Sequence, residues 1–189
     1  DVEIETSSEF DIDLIIQLYR TGKIDKKRVL IHNGYKTDDY LQKIIALQQM
    51  GFTNSIIILD GISELKRIQD LAPTHKIKVG LRVAINEEAQ SSYYTSRLGI
   101  PLKEVLSFFN HYISENDAVE LKMLHFFVDS GIKDNLYYWG EFQKVLQLYV
   151  SLKKQCESLN ALNLGGGFPI RNNLGFEYDY EYMIMQIVE

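Results

Sequence analysis

Short apolar runs alternate with longer helical patterns along almost the whole chain. That alternation restricts the fold more than any other feature of the sequence. Residues 2–6, 28–32, 56–59, 76–84, 119–128 and 161–164 read as strands. Ile56-Ile57-Ile58-Leu59 is apolar without a break, as expected of a strand covered on both faces. In 76–84, Ile77, Val79, Leu81 and Val83 share one face, while Lys78, Gly80 and Arg82 share the other. The segments between them carry helical stripes: Ile12, Ile15, Ile16 and Tyr19; Leu41, Ile44, Ile45 and Gln48; Leu102, Val105, Leu106 and Phe109. A shorter helix is expected over 63–71 and a long one, with Phe142, Val145, Leu146, Tyr149 and Leu152, over 137–156. Ser8 with Asp11 three residues on predicts a capping box, and Gly22 and Gly51 mark helix ends. The stretch through Tyr93, Tyr94 and Arg97 to Pro101 reads as a polar loop.

Connections this long carry crossover helices, so neighbouring strands run parallel and the fold class is α/β. Two architectures fit: an open doubly wound sheet, or an incomplete (β/α)8 TIM-type barrel. A closed barrel needs eight units. About six are visible, so a barrel would lack its first and last units. The chain opens inside a strand pattern and stops inside a helical one, residues 182–188. Residues 1–189 are therefore expected to be a fragment of a longer protein.

A net charge of −6 argues against a non-specific nucleic-acid binder, which needs a cationic face. The basic cluster from Lys23 to Arg28 is interrupted by Ile24 and Asp25 and reads as a solvated loop. The one cysteine, Cys156, excludes an internal disulfide and fits a reducing, cytoplasmic setting. It is expected on the long helix beside Lys153 and Lys154. No apolar run approaches the roughly 20 residues that span a bilayer, so no membrane partner is expected. His32, His75 and His111 lack metal-ligand spacing.

The last apolar run stops at three glycines, in Leu162-Asn163-Leu164-Gly165-Gly166-Gly167-Phe168-Pro169. Successive glycines expose backbone N–H groups with no Cβ in the way, which suits an anion such as a phosphate. A flexible strand-to-helix loop is the simpler reading of the same residues.

Ile4-Glu5-Thr6-Ser7-Ser8, His32-Asn33-Gly34-Tyr35-Lys36, Gly80-Leu81-Arg82-Val83-Ala84, Ser96-Arg97-Leu98-Gly99, Leu124-His125-Phe126-Phe127, Ser130-Gly131 and Leu164-Gly165-Gly166-Gly167 follow one another in a telling order. In that order they resemble the pyridoxal phosphate (PLP)-dependent decarboxylases of fold type III, the alanine racemase-like barrels. Among these the chain is most similar to the biosynthetic arginine decarboxylase family, through Asn33-Gly34-Tyr35-Lys36 and Leu124-His125-Phe126. The resemblance implies the barrel and PLP as cofactor. It implies a small amino-acid substrate, with arginine converted to agmatine in polyamine biosynthesis. It also implies a homodimer or higher homo-oligomer. Mg²⁺ is used by many members of that family, but no site for it is visible in this sequence.

Residue by residue, the resemblance assigns Gly165, Gly166 and Gly167 to the phosphate loop and Ser130 to a hydroxyl that also reaches the phosphate. It places Arg82 close to the pyridine ring. Phe127 stands where most relatives carry the histidine that stacks on that ring. Phenylalanine can stack but cannot hydrogen-bond or move a proton. Asp129 stands where relatives usually carry glycine, and a carboxylate there would repel a phosphate unless turned away. His125, two residues before Phe127, faces the same way one layer deeper and reads as a hydrogen-bonded core histidine. Lys36 is not the cofactor-anchoring lysine, which is expected upstream of Asp1. The carboxylate for the ring nitrogen is expected beyond Glu189, and the C-terminal β domain of such enzymes is lacking. No catalytic residue is thus assigned within the chain, and the fragment is expected to be inactive alone.

Other readings stay open. The parent could act on diaminopimelate, ornithine or carboxynorspermidine. It could be a catalytically dead barrel serving as a regulatory or binding subunit, which Phe127 and Asp129 favour. A phosphate-binding barrel without PLP is countered by the Ser130 and Arg82 matches. Two unpaired sheet edges in a partial barrel predict self-association or marginal stability.

Overall fold

The computed structural model describes residues 3–85, 98–128, 135–166 and 178–188. The strands are β1 (Ile4–Thr6), β2 (Leu30–His32), β3 (Ser55–Leu59), β4 (Ile77–Ala84), β5 (Ile100–Pro101), β6 (Val119–Phe126) and β7 (Ala161–Asn163). The helices are α1 (Glu9–Arg20), α2 (Asp38–Gln49), α3 (Ile62–Leu71), α4 (Leu102–Tyr112), α5 (Asn135–Lys153) and α6 (Tyr180–Val188). All strand pairs are parallel and the path β1-β2-β3-β4-β6-β7 follows the chain, with β5 added beside β4. Strands laid down in chain order, with a helix between each two successive strands of that path, make an arc of a TIM-type barrel rather than a doubly wound sheet, whose order reverses.

Local chemistry sets the element ends. The Asp11 carboxylate accepts hydrogen bonds from the backbone N–H groups of Ser7, at 2.7 Å, and Ser8, at 2.9 Å. These donors stabilise the ionised form and lower the Asp11 pKa, the Ser7 N–H contributing most. The Thr37 hydroxyl likewise accepts from the Tyr40 N–H at 3.1 Å and starts α2. Strand β5 is a correction to the expected loop. Two residues, Ile100 and Pro101, pair with Val83 and Ala84, too short a run to show any alternation. Helix α5 ends at Lys153, so Cys156 lies beyond it rather than on it; its thiol is 3.2 Å from the Ser158 hydroxyl.

The two faces of the sheet are packed differently. The outer face buries Leu30, Ile57, Leu59, Val79, Leu81 and Leu124 against Ile12, Leu41, Ile44, Leu65, Val105 and Val145 of the helices. Each fully buried side chain of this kind stabilises by about 1.5–3 kcal/mol. A polar chain also lies in this layer: the Thr6 hydroxyl is 2.7 Å from His32 Nδ1 and 2.6 Å from the Tyr40 hydroxyl. The inner face holds a smaller apolar cluster of Ile31, Ile56, Ile58 and Met123. Gly80 lies among them; a Cβ there would stand 2.5 Å from Ile58 Cδ1, so glycine lets β3, β4 and β6 curve around a narrow interior. Beyond this plug, at the C-terminal strand ends, the interior turns polar.

Candidate functional site

Strand parity decides which side chains reach that interior. Ile31 points inward on β2, and so does Asn33 two residues on. Met123, His125 and Phe127 follow the same rule along and just past β6, as do Gly80 and Arg82 on β4. Because parallel strands end together, Glu5, Asn33, Arg82, His125, Phe127, Gly165 and Gly166 line one cavity of about 390 Å³. A larger hollow, about 500 Å³, lies outside the sheet between α3 and the turn after α4. Its polar lining residues, among them Lys66, His111, Glu115 and Asp117, are all at least partly exposed, and no buried polar group opens into it.

Amides organise one wall of the inner cavity. Glu5 Oε1 accepts from Asn33 Nδ2 at 2.9 Å, and Glu5 Oε2 accepts from Asn163 Nδ2 at 3.2 Å. Asn33 Nδ2 also lies 3.3 Å from His125 Nε2. With the amide as donor, Nε2 is the acceptor and Nδ1 carries the proton. His125 Nδ1 is buried and has no partner among the described residues. Burial first, and then the Arg82 charge, push the His125 pKa down to about 4, so its ring is neutral near pH 7.

Arg82 also lines the cavity and is linked to three further charges, Asp60, Glu64 and Lys36, that do not. Lys36 is fully buried; its Nζ donates to the Gly34 carbonyl at 2.9 Å and pairs with Glu64 at 3.5 Å. Glu64 Oε2 accepts from the Asp60 backbone N–H at 2.8 Å. Asp60 Oδ1 stands 3.9 Å from Arg82 Nε. The Arg82 guanidinium carbon in turn lies 5.6 Å from the centroid of the Phe127 ring, a cation–π contact.

The glycine turn closes the cavity. Gly165 has φ +67°, and a Cβ there would meet the Phe126 carbonyl oxygen at 2.6 Å. Only glycine adopts that conformation at that distance without strain. Its N–H donates to Asn163 Oδ1 at 2.8 Å. Among the described residues nothing lies within 4 Å of the place a Cβ would take at Gly166.

Of the residues singled out in the sequence, Arg82, Phe127, Gly165 and Gly166 come together in the cavity. Ser130, Asp129 and Gly167 lie outside the described residues. Lys36 is packed against Glu64 and does not line the cavity. Sequence reasoning missed Glu5, Asn163 and Asp60. Each is one polar residue at the end of a strand, and only inward parity at a C-terminal strand end could have marked them.

A profile of the family described as pyridoxal-dependent decarboxylase, pyridoxal binding domain, matches residues 2–187. Biosynthetic arginine decarboxylase 2 of Synechocystis sp. is 29% identical over 154 residues, which are 76% of this chain and 23% of that protein. The crystal structure of lysine decarboxylase from Selenomonas ruminantium superposes with a TM-score of 0.75 at 18% identity, over 98% of this chain and 45% of that one. The biosynthetic arginine decarboxylase of Campylobacter jejuni gives 0.62 at 22% identity, over 87% of this chain and 27% of that one. The chain thus spans about a quarter of the length of the curated relatives it matches. No helix among the described residues is long and apolar enough to cross a membrane. With a parallel barrel arc, a cavity at its C-terminal strand ends and a profile match over nearly every residue, the chain belongs to the family of pyridoxal-dependent decarboxylases, in the part that forms their pyridoxal-binding domain.

Proposed function

We propose that the protein is a PLP-dependent carboxy-lyase that removes the α-carboxylate of arginine as CO2 and leaves agmatine. The observation that carries this is the meeting of Gly165, Gly166, Arg82 and Phe127 around one cavity at the strand ends. The arginine preference is supported by curated relatives at 29% and 27% identity that are named as biosynthetic arginine decarboxylases. Residues 1–189 would then be a piece of the barrel domain. The whole protein would be a cytoplasmic homo-oligomer supplying polyamine synthesis.

The cavity fits a flat anionic group. At Gly166 no described residue stands where a Cβ would be, and a bare backbone N–H there suits a phosphate. Phe127 offers an aromatic face, and the Arg82 cation stands beside it. Gly166 would hold the phosphate through its backbone N–H, on a turn shaped by Gly165, whose own N–H is taken by Asn163, with Gly167 and Ser130 as further candidates; Phe127 and Arg82 would hold the ring. When bound, PLP supplies an electron sink for the pair left behind as the carboxylate departs.

The protein's own groups have separable tasks. Phe127 orients by contact and carries no proton. His125, neutral at pH 7, carries an Nδ1–H that is free to donate a hydrogen bond but is no acid at that pH. Asn33 and Asn163 hold the Glu5 carboxylate in place. The apolar plug of Ile31, Ile56, Ile58 and Met123 keeps water from entering beneath.

A second reading, the catalytically inert barrel acting as a regulatory or binding subunit, is favoured by one observation. Arg82 already covers the Phe127 ring, which therefore has less free face to offer a cofactor. The test is CO2 release by the full-length protein with PLP, offered arginine, ornithine, lysine and diaminopimelate separately. Release from arginine alone supports the proposal. Release from another of the four moves the substrate assignment. PLP binding with no release from any of them favours the inert subunit.

A further inference from the structure

We propose that Asp60 is a positioning residue for Arg82. Its carboxylate, at the end of β3, holds the guanidinium over the Phe127 ring and so fixes where the cavity's positive charge stands. The inference rests on the PLP reading of the cavity and goes beyond it by assigning a residue outside the cavity lining.

Arg82 meets both groups: its Nε is 3.9 Å from Asp60 Oδ1, and its guanidinium carbon is 5.6 Å from the centroid of the Phe127 ring. The Asp60 and Arg82 side chains are only 10% and 12% exposed. Neither carboxylate oxygen of Asp60 has a hydrogen-bond partner among the described residues. A buried carboxylate without hydrogen bonds is costly; the charges of Lys36 and then Arg82 offset its burial, and its ion-pair contact is with Arg82. Glu64 serves a different end: it accepts from the Asp60 backbone N–H and pairs with Lys36, which fixes the main chain of Asp60 and leaves its side chain for Arg82.

The charged groups that face Asp60 are Lys36 from the β2–α2 connection, Glu64 from α3 and Arg82 from β4. Beyond Arg82 stand His125 on β6 and Glu5 on β1. Burial is the largest influence and raises the Asp60 pKa to about 6; Lys36 and Arg82 oppose it, and Glu64 adds to it. Above that pH the carboxylate is ionised and grips Arg82. Below it the neutral acid lets go. Phe127 cannot compensate, because it does not titrate.

The experiment measures PLP affinity of the full-length apoprotein from the cofactor's absorbance, between pH 5.5 and 8.5. It uses wild type, Asp60→Asn, Asp60→Glu, Arg82→Met and the Asp60→Asn/Arg82→Met double variant. At pH 8, Asp60→Asn should weaken binding about tenfold, the size of one lost charge-assisted contact. The wild-type to variant ratio should fall toward one as the pH drops through 6. Taking the ratio removes the cofactor phosphate's own titration, which lies near the same pH. Asp60→Glu should restore part of the loss, and Asp60→Asn should add nothing once Arg82 is Met.

A purely structural Asp60 would instead give a pH-independent ratio that adds to the Arg82→Met effect, and either result overturns the inference. If Asp60→Asn does not fold, Arg82→Met takes its place: the wild-type to Arg82→Met ratio must collapse over the same pH range, and a flat ratio overturns the inference. Wild type that binds no PLP at any pH overturns the cofactor reading and this inference with it. Wild type that binds with a flat ratio overturns the inference alone.

Discussion

The two faces of the sheet are built to opposite rules. The outer face buries a continuous apolar layer against the helices, with Leu30, Ile57, Leu59, Val79 and Leu81 at or near zero exposure. The inner face is apolar only as far as Ile31, Ile56, Ile58 and Met123, and then gives way to Glu5, Asn33, Arg82 and His125. Alternate residues of the same strands supply both. Stability and chemistry are thereby separated by parity: moving one residue along a strand moves from one task to the other.

Substitutions on the two sides should therefore fail in different ways. Ile57→Ala empties a fully buried outer position and should cost about 4 kcal/mol in denaturant unfolding. The folded fraction should still bind PLP with unchanged affinity, and a fall in that affinity would break the separation. Lys36→Met leaves Glu64 buried without its cation and should cost about 3 kcal/mol. Here PLP affinity should fall as well, because the Asp60–Arg82 side of the cavity loses its neighbour.

Acid tests both faces at once. Burial depresses the pKa of His32, on the outer face, from 6.5 to about 3, and that of His125, on the inner face, from 6.5 to about 4. A depressed pKa contributes stability present above 6.5 and lost as the pH falls toward the folded value. Asp60 does the reverse: its pKa rises from 3.8 to about 6, so it contributes stability below 3.8 that is lost as the pH rises through 6. Going from pH 7 to 5, the two histidines outweigh Asp60, and stability should drop by about 2 kcal/mol. Asp60→Asn removes the opposing contribution and should steepen that drop by about 1 kcal/mol. Equilibrium unfolding at the two pH values checks both signs; a shallower drop in the variant would count against them.

Gly165→Ala should cost about 1–2 kcal/mol for the left-handed backbone alone. It is the most local of these substitutions. The Cβ would press on the Phe126 carbonyl and Phe127, so PLP titration should show a loss of affinity larger than the loss of stability predicts.

How much of this the sequence shows depends on whether a signal is periodic. The alternation in Ile77, Val79, Leu81 and Val83 places Arg82 inward, and the unbroken Ile56–Leu59 run announces a strand buried on both sides; the structure bears out both. Strand β5 was invisible because two residues have no period. In the site, Arg82, Phe127, Gly165 and Gly166 were found through resemblance, and the structure brings them to one place. Glu5, Asn163 and Asp60 carry no local pattern. Their meaning arises only when strands distant in the chain end side by side, as when residues 158 apart share a hydrogen bond.

That last bond makes Glu5 a chord across the arc. One carboxylate accepts from Asn33, on the neighbouring strand, and from Asn163, on the strand at the opposite margin of the sheet. Backbone ladders set the spacing of adjacent strands but not how far the ends of the row stand apart. In this fold that span is held by two amide side chains and one acid, so the cavity's aperture is a side-chain property. It can be retuned by a single methylene, Glu5→Asp, without touching the sheet.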